Sequence, residues 1–299
     1  LNGKPTQMDP TMLLGQISSD AIVSVDVITV PTSKFDAQGK GGIINITTKS
    51  VGVEGFSMSV NGTIGGAPWG HTTDKYSGYE MTDNRYNSGV NLMYGTGKVL
   101  LYGGFNISDK NVNGERTGDA RILDESTGAY KHMVASGERP EWYKSKAANI
   151  GVDYKVSDRS QLSMAYRYGD RTEGRSAFYI YNNFYGDKNK NPLAGVPDNN
   201  EWVYNPNTDN RYGTFHNFTI DYTHKIDDAT ELTSSFSYEN SNLSRELDNL
   251  NYEYDPITDE IGDVTLHYNQ TDETPLEGYR FALDYAKEYD NGNTLGFGI

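Results

Sequence analysis

Five histidines, His71, His132, His216, His224 and His267, are the first residues to ask about metal or acid–base chemistry. A helical zinc site of the H-E-x-x-H kind needs two of them four residues apart around a glutamate, and no such group occurs. His216 and His224 share one strand parity, but at ~3.4 Å per residue they stand about 27 Å apart, too far for one ion. Isolated, solvated histidines are the expectation. "GTGKV" at 95–99 has the tail of a phosphate-binding loop, yet Leu92 stands where the upstream glycine belongs and Val99 where a metal-binding hydroxyl belongs. A hairpin turn is expected there. Another turn is expected at "AQGKGG" (37–42), which lacks the G-x-G-x-x-G spacing. The acidic run "DPITDEIGD" at 255–263 has carboxylates that could hold calcium but not the spacing and glycine of a twelve-residue calcium loop, so a solvated turn is the default. No Ser/His/Asp or paired-carboxylate spacing singles itself out. The expectation is a protein that is not an enzyme and uses no metal or cofactor.

Binding without chemistry is the stronger lead. Tyr179, Tyr181, Tyr185, Trp202 and Tyr204, with Phe178 and Phe184 among them, concentrate in one otherwise polar stretch. Rings offer apolar area at little entropic cost, so these residues could form a ligand platform. They could equally pack that stretch against its neighbours. Gly39, Gly41 and Gly42 are candidates of another kind, structural turn glycines free to take angles that a side chain forbids.

The elements that must position these residues fall into two textures. In the first fifty residues, Asp9 and Pro10 can cap a short helix whose apolar face is Met12, Leu13, Leu14 and Ile17. Ala21 to Val30 is a β-rich run ended by Pro31, and Ile43 to Thr48 is a second strand. The reading is a small mixed α/β unit over 1–50.

From Gly55 onward apolar and polar residues alternate. Phe56, Met58, Val60 and Ile64 share one parity, as do Ile150, Val152, Tyr154 and Val156, and Tyr279, Phe281, Leu283 and Tyr285. The opposite parity holds Asn91, Asp153, Arg167, Asn217, Asp221, Arg280 and Asp284. Each strand therefore has one oily and one wet face. A soluble half-buried sheet would alternate in the same way, so the connections must decide. Short turns around Thr96, Ser157, Asp227 and Asp290 recur at 61, 70 and 63 residues. Between them lie long polar connections at 66–85, 109–142, 170–214 and 239–277, far beyond the ~12–15 residues usual for a loop. Short turns on one side and long loops on the other are the habit of an outer-membrane barrel. The alternation yields about nine or ten strands, with a further short strand around Val264 to Tyr268.

Bulk properties agree. Only 35% of the 299 residues are hydrophobic and no run of ~18 apolar residues exists, which excludes a transmembrane helix but not a membrane barrel. Aromatics reach 12%, so the chain is expected to fold. The net charge of −15 argues against nucleic acid as a partner. With no cysteine, disulfides and thiolate metal sites are unavailable. Leu1 to Pro5 carries no leader and Leu295 to Ile299 stops inside an alternating pattern, so the chain reads as a fragment.

The opening fifty residues resemble the C-terminal part of the plug domain of TonB-dependent outer-membrane receptors, in particular the Bacteroidetes-type outer-membrane β-barrel group. The likeness rests on Asn2-Gly3-Lys4-Pro5, on "DAIVSVDVIT" at 20–29, and on "FDAQGKGGIINITTK" at 35–49, with Gly39 and Gly42 in the family's glycine positions. The resemblance implies a mainly β protein: a transmembrane antiparallel β-barrel, of which 51–299 are the N-terminal strands with long extracellular loops, preceded by a plug at 1–50. It implies TonB-dependent active transport of a solute across the bacterial outer membrane, by capture at the loops and plug and then gated passage. The implied partners are outer-membrane lipid, TonB through a segment upstream of Leu1, a solute ligand and a surface lipoprotein. The alternative is an adhesin or structural barrel that binds a surface partner and transports nothing.

Overall fold

A computed structural model of the chain describes residues 14, 22–29, 42–48, 54–66, 84–197, 199–291 and 293–299. Within them lie the strands β1 (Ile22–Ile28), β2 (Ile43–Thr48), β3 (Gly55–Gly66), β4 (Asn84–Gly95), β5 (Val99–Val112), β6 (Glu115–Asp124), β7 (Ala129–Glu138), β8 (Glu141–Ser157), β9 (Ser160–Gly186), β10 (Glu201–Lys225), β11 (Thr230–Asp255), β12 (Glu260–Glu288) and β13 (Thr294–Gly298). The fold is mainly β and its sheets are antiparallel, as the alternation predicts.

Both strands expected in the first fifty residues form, and they pair antiparallel with Val25 opposite Ile46 and Ile28 opposite Ile43. Gly42 enters β2 at φ 109°, where a side chain is strained, and a Cβ there would stand 3.1 Å from the Ile28 carbonyl oxygen. The expected helix, apart from Leu14, and the turn glycines Gly39 and Gly41 lie outside the described residues.

The remaining strands make one open sheet in the order β13-β12-β11-β10-β9-β8-β5-β4-β3, with β6 and β7 joined to it through β9. The β6–β7 pair is not an insertion. Val112 is opposite Glu141 and Glu115 is opposite Glu138, so β5 with β6 and β7 with β8 are two halves of one hairpin in unbroken register. The strand label stops only where Pro140, lacking an N–H, interrupts the ladder. Around that gap Arg139 N donates to Gly114 O at 2.6 Å and Ser176 N to Pro140 O at 3.0 Å, so the neighbouring backbone stays paired. Traced this way, the sheet among the described residues is a nine-strand meander, within the nine or ten expected; the short strand anticipated at 264–268 is part of β12.

The long connections are corrected. Most of 109–142, 170–214 and 239–277 is strand, and β9, β10, β11 and β12 run to 27, 25, 26 and 29 residues. The segment at 67–83 lies outside the described residues. Strands of ~3–10 residues are the norm, and a polar backbone run extends further only if neighbours on both sides take up its N–H and C=O groups. Here each long strand has such neighbours. Asn207 to Lys225 pairs residue by residue with β11, and Glu201 to His224 with β9.

Constant register turns the alternation into faces. Phe56, Tyr94, Leu101, Val152, Met164, Ile220, Phe236 and Phe281 stand side by side across eight strands, and Met58, Leu92, Ile150, Tyr166, Phe218, Tyr238 and Tyr279 lie in the next row. Many of these are bare: Phe56 is 67% exposed, Ile150 65% and Phe281 62%. The opposite face is polar and crowded, with Asn106, Ser108, Ser145, Asp153 and Thr219 all buried. Glycines make the crowding tolerable: the Tyr102 ring lies over Gly151, where a Cβ would strike it.

Gly137 in β7 marks the closest approach, since a Cβ there would collide with the Phe178 backbone carbonyl of β9. Gly137→Ala is expected to cost ~1–3 kcal/mol by chemical denaturation. Gly118→Ala, whose Cβ would meet only the Ala135 Cβ at 4.0 Å, should be close to neutral.

Candidate functional site

The polar face of β9, β10 and β11 changes character beyond the apolar rows. Going up β9 on that face come Arg171, Glu173, Arg175, Ala177, Tyr179 and Tyr181, opposite Gly213, Arg211, Asp209, Asn207, Asn205 and Val203 of β10. Alternation at period two is what brings "RTEGR" (171–175) and "DNR" (209–211) to one surface.

Asp209 is the centre of this surface, 4% exposed. Arg245 of β11 grips it in bidentate fashion, Nε to Oδ1 at 2.8 Å and Nη2 to Oδ2 at 3.0 Å. Arg211 Nη2 reaches the same carboxylate at 3.4 Å and Arg175 Nη2 at 3.6 Å. Arg211 Nη1 also stands 3.7 Å from Glu173. The Arg245 hydrogen bonds, helped by the Arg211 and Arg245 charges, hold the Asp209 carboxyl below its ordinary value of 3.8 against the opposing effect of burial. Above this cluster Asn205 Nδ2 donates to Asn249 Oδ1 at 2.6 Å and Asn251 Oδ1 at 2.7 Å, and Asn207 Nδ2 donates to Asn205 Oδ1 at 2.9 Å. Tyr179 and Tyr181 then meet edge to face with ring centroids 5.9 Å apart.

The five candidate aromatics therefore do not form one platform. Tyr179, Tyr181 and Tyr185 share the polar face of β9, whereas Trp202 and Tyr204 occupy the even positions of β10 and face the other way. Tyr204 is buried against Tyr252 of β11, centroids 6.1 Å apart, and so packs the sheet. The period-two direction of a strand, invisible while 170–214 is taken for a loop, separates them.

On that second face the β9–β10 connection folds back over β6 and β7. His132 is 0% exposed there, stacked on Phe184 with centroids 5.0 Å apart and bonded through Nε2 to the Asp187 carbonyl oxygen at 2.8 Å. Lys190 pairs with Asp119 at 2.8 Å, and Arg121 Nη1 donates to Lys188 O at 2.9 Å. For His132 this corrects the expectation of a solvated histidine, because a connection of the chain itself covers the ring; His267 is more than half exposed. His216 and His224 are separate, bonded to Tyr166 Oη at 2.8 Å and Ser160 Oγ at 2.9 Å. His71 lies outside the described residues. "GTGKV" is a hairpin turn, with Thr96 N donating to Val99 O at 2.7 Å, and the Asp255 carboxylate of "DPITDEIGD" is taken up by Ile257 N at 2.8 Å.

The Asp209 cluster has a sequence signal, charges of opposite sign at i and i+2 on the polar parity, but it is readable only once those positions are strand. No family model matches the chain, and no curated protein matches it by sequence.

Asp209→Ala should destabilise the protein by about 2 kcal/mol in denaturant titrations. The figure sits below that of a dry ion pair because the arginines are a third to a half exposed, so water screens them. Since the folded value is lowered, this stabilisation is complete above pH 3.8 and is lost as pH falls below it through the folded value. The Asp209→Ala variant should lack that acid-limb component.

Proposed function

We propose that this chain is part of an outer-membrane β-barrel that takes a solute inward by TonB-dependent active transport, with β1 and β2 belonging to its plug. The observation that carries the reading is the pair of apolar rows, exposed or half-exposed across eight strands, on a sheet whose other face is polar. Large contiguous exposed apolar surfaces mark membrane or partner contact. The outward apolar run on one strand, for example Ala148 to Val156 of β8, matches the ~9–11 residues a tilted strand needs to cross a bilayer. Tyrosines in these rows suit the interfacial girdle. Among the described residues the strands continue on one side of that band only, and there the polar face presents arginine, asparagine and tyrosine where an incoming solute would first arrive. The β1–β2 pair with Gly42 behind it favours transport over adhesion, because an adhesin has no use for a plug.

Two substitutions separate lipid contact from water contact. Ile150→Lys, on the apolar face, should cost ~2–4 kcal/mol in refolding into bilayers and cut recovery in the outer-membrane fraction. Ser57→Lys, exposed on the polar face of β3, should change neither much. An Ile150→Lys protein that is equally stable and fully water-soluble would make the sheet a soluble module. A strain lacking the protein should lose growth on one nutrient of a panel supplied singly; an adhesin would leave every growth curve unchanged.

A further inference from the structure

Resting on the reading above, in which the polar face lines the path of a solute, we infer that Arg175, Arg211 and Arg245 form a recognition site for an anionic solute bearing carboxylate or phosphate groups. Three guanidiniums offer about fifteen N–H donors, while the two oxygens of Asp209 accept about four. The surplus is not spent internally. Arg211 is 51% exposed and Arg175 and Arg245 are 33% exposed, so their free edges look out from the polar face. Arg175 Nε is buried without a hydrogen-bond partner, so the donors of this arginine are not all taken up by Asp209.

Charge points the same way. Arg171 stands on the same face two residues before Glu173, with its guanidinium 5.9 Å from the Phe215 ring centroid. Against these four cations stand Asp209, Glu173 and Asp272, the last already accepting the Gln270 amide at 2.9 Å on both oxygens, while Glu141, opposite Arg175 on β8, is held by a fifth cation, Arg139, at 2.9 Å. A local cation excess is out of keeping with a chain of net charge −15. The acidic remainder of the chain repels an anion on average, so a local cation cluster on this face is a favourable place for one to settle. Asp209 acts as a positioning residue: it pins three planar forks at one spot, which lowers the ordering cost of binding. Such forks match the two oxygens of a carboxylate or phosphate.

The test uses the full-length protein recovered from membranes in detergent, titrated calorimetrically with citrate and, separately, with inorganic pyrophosphate at low ionic strength. Saturable binding of at least one probe is expected, weakened about tenfold or more in Arg211→Gln and in Arg175→Gln. Added salt should weaken it further, since the cluster is partly exposed. Lys144→Gln, on the opposite face, should bind as the wild type does. Folded wild-type protein that binds neither probe, or Arg variants with unchanged affinity, would overturn the site. Membrane recovery is scored first on the same sample. Its loss overturns the transport reading, whereas membrane-held protein indifferent to both anions overturns only this inference.

Discussion

Every property of the large sheet depends on its register. A strand's side chains alternate with a period of two, so a slip of one residue against a neighbour would exchange its entire polar and apolar sets. The long strands hold register without such a slip across the apolar rows, and the irregularities that occur, at Asn251/Tyr252, Tyr252/Tyr254 and Lys155/Ser157, lie near strand ends. The oily rows are the direct consequence. No single residue in them sets the pattern; the backbone ladder does, by carrying one parity from β3 to β12.

The same ladder explains why polar sequence becomes ordered structure beyond the band. An isolated polar strand has little apolar surface to offset the entropy of extension. Flanked on both sides, it satisfies its backbone groups and gains cross-strand pairs of opposite charge, such as Asp209 of β10 held by Arg245 of β11. Burial of Ala177, Phe178, Tyr179, Val203 and Tyr204 adds a small core on both faces at that level. Residues that a loop would have left mobile are thereby held on a stiff scaffold, which is what a recognition surface needs.

The two ends of the sheet therefore differ in kind. Near Thr96, Ser157 and Asp227 the chain reverses in a few residues, with Asp227 Oδ1 accepting Ala229 N at 2.9 Å. At the other end the strands climb past the apolar rows, and several carboxylates are partnered: Asp209 by three arginines, Asp119 by Lys190, and Asp248 by a hydrogen bond with His267 at 2.7 Å. Pairing of this sort limits the self-repulsion that a net charge of −15 would otherwise impose on a compact surface.

The sequence by itself determined the local facts: two strands before residue 50, a turn at "GTGKV", alternating faces from Gly55 onward, and reversals at regular intervals. These follow from nearest-neighbour chemistry, such as the parity of Ile150, Val152 and Tyr154 or the run Ile43 to Thr48. Only the tertiary structure decided which polar stretches are strand, that β5 with β6 and β7 with β8 make one hairpin, that Trp202 and Tyr204 turn away from Tyr179, and that His132 is buried. It also brought Arg175, Asp209, Arg211 and Arg245 together from three strands. The physical reason is common to all of these. A polar extended segment is stable only when its neighbours complete its hydrogen bonds, and those neighbours lie tens of residues away along the chain, where no local pattern can name them.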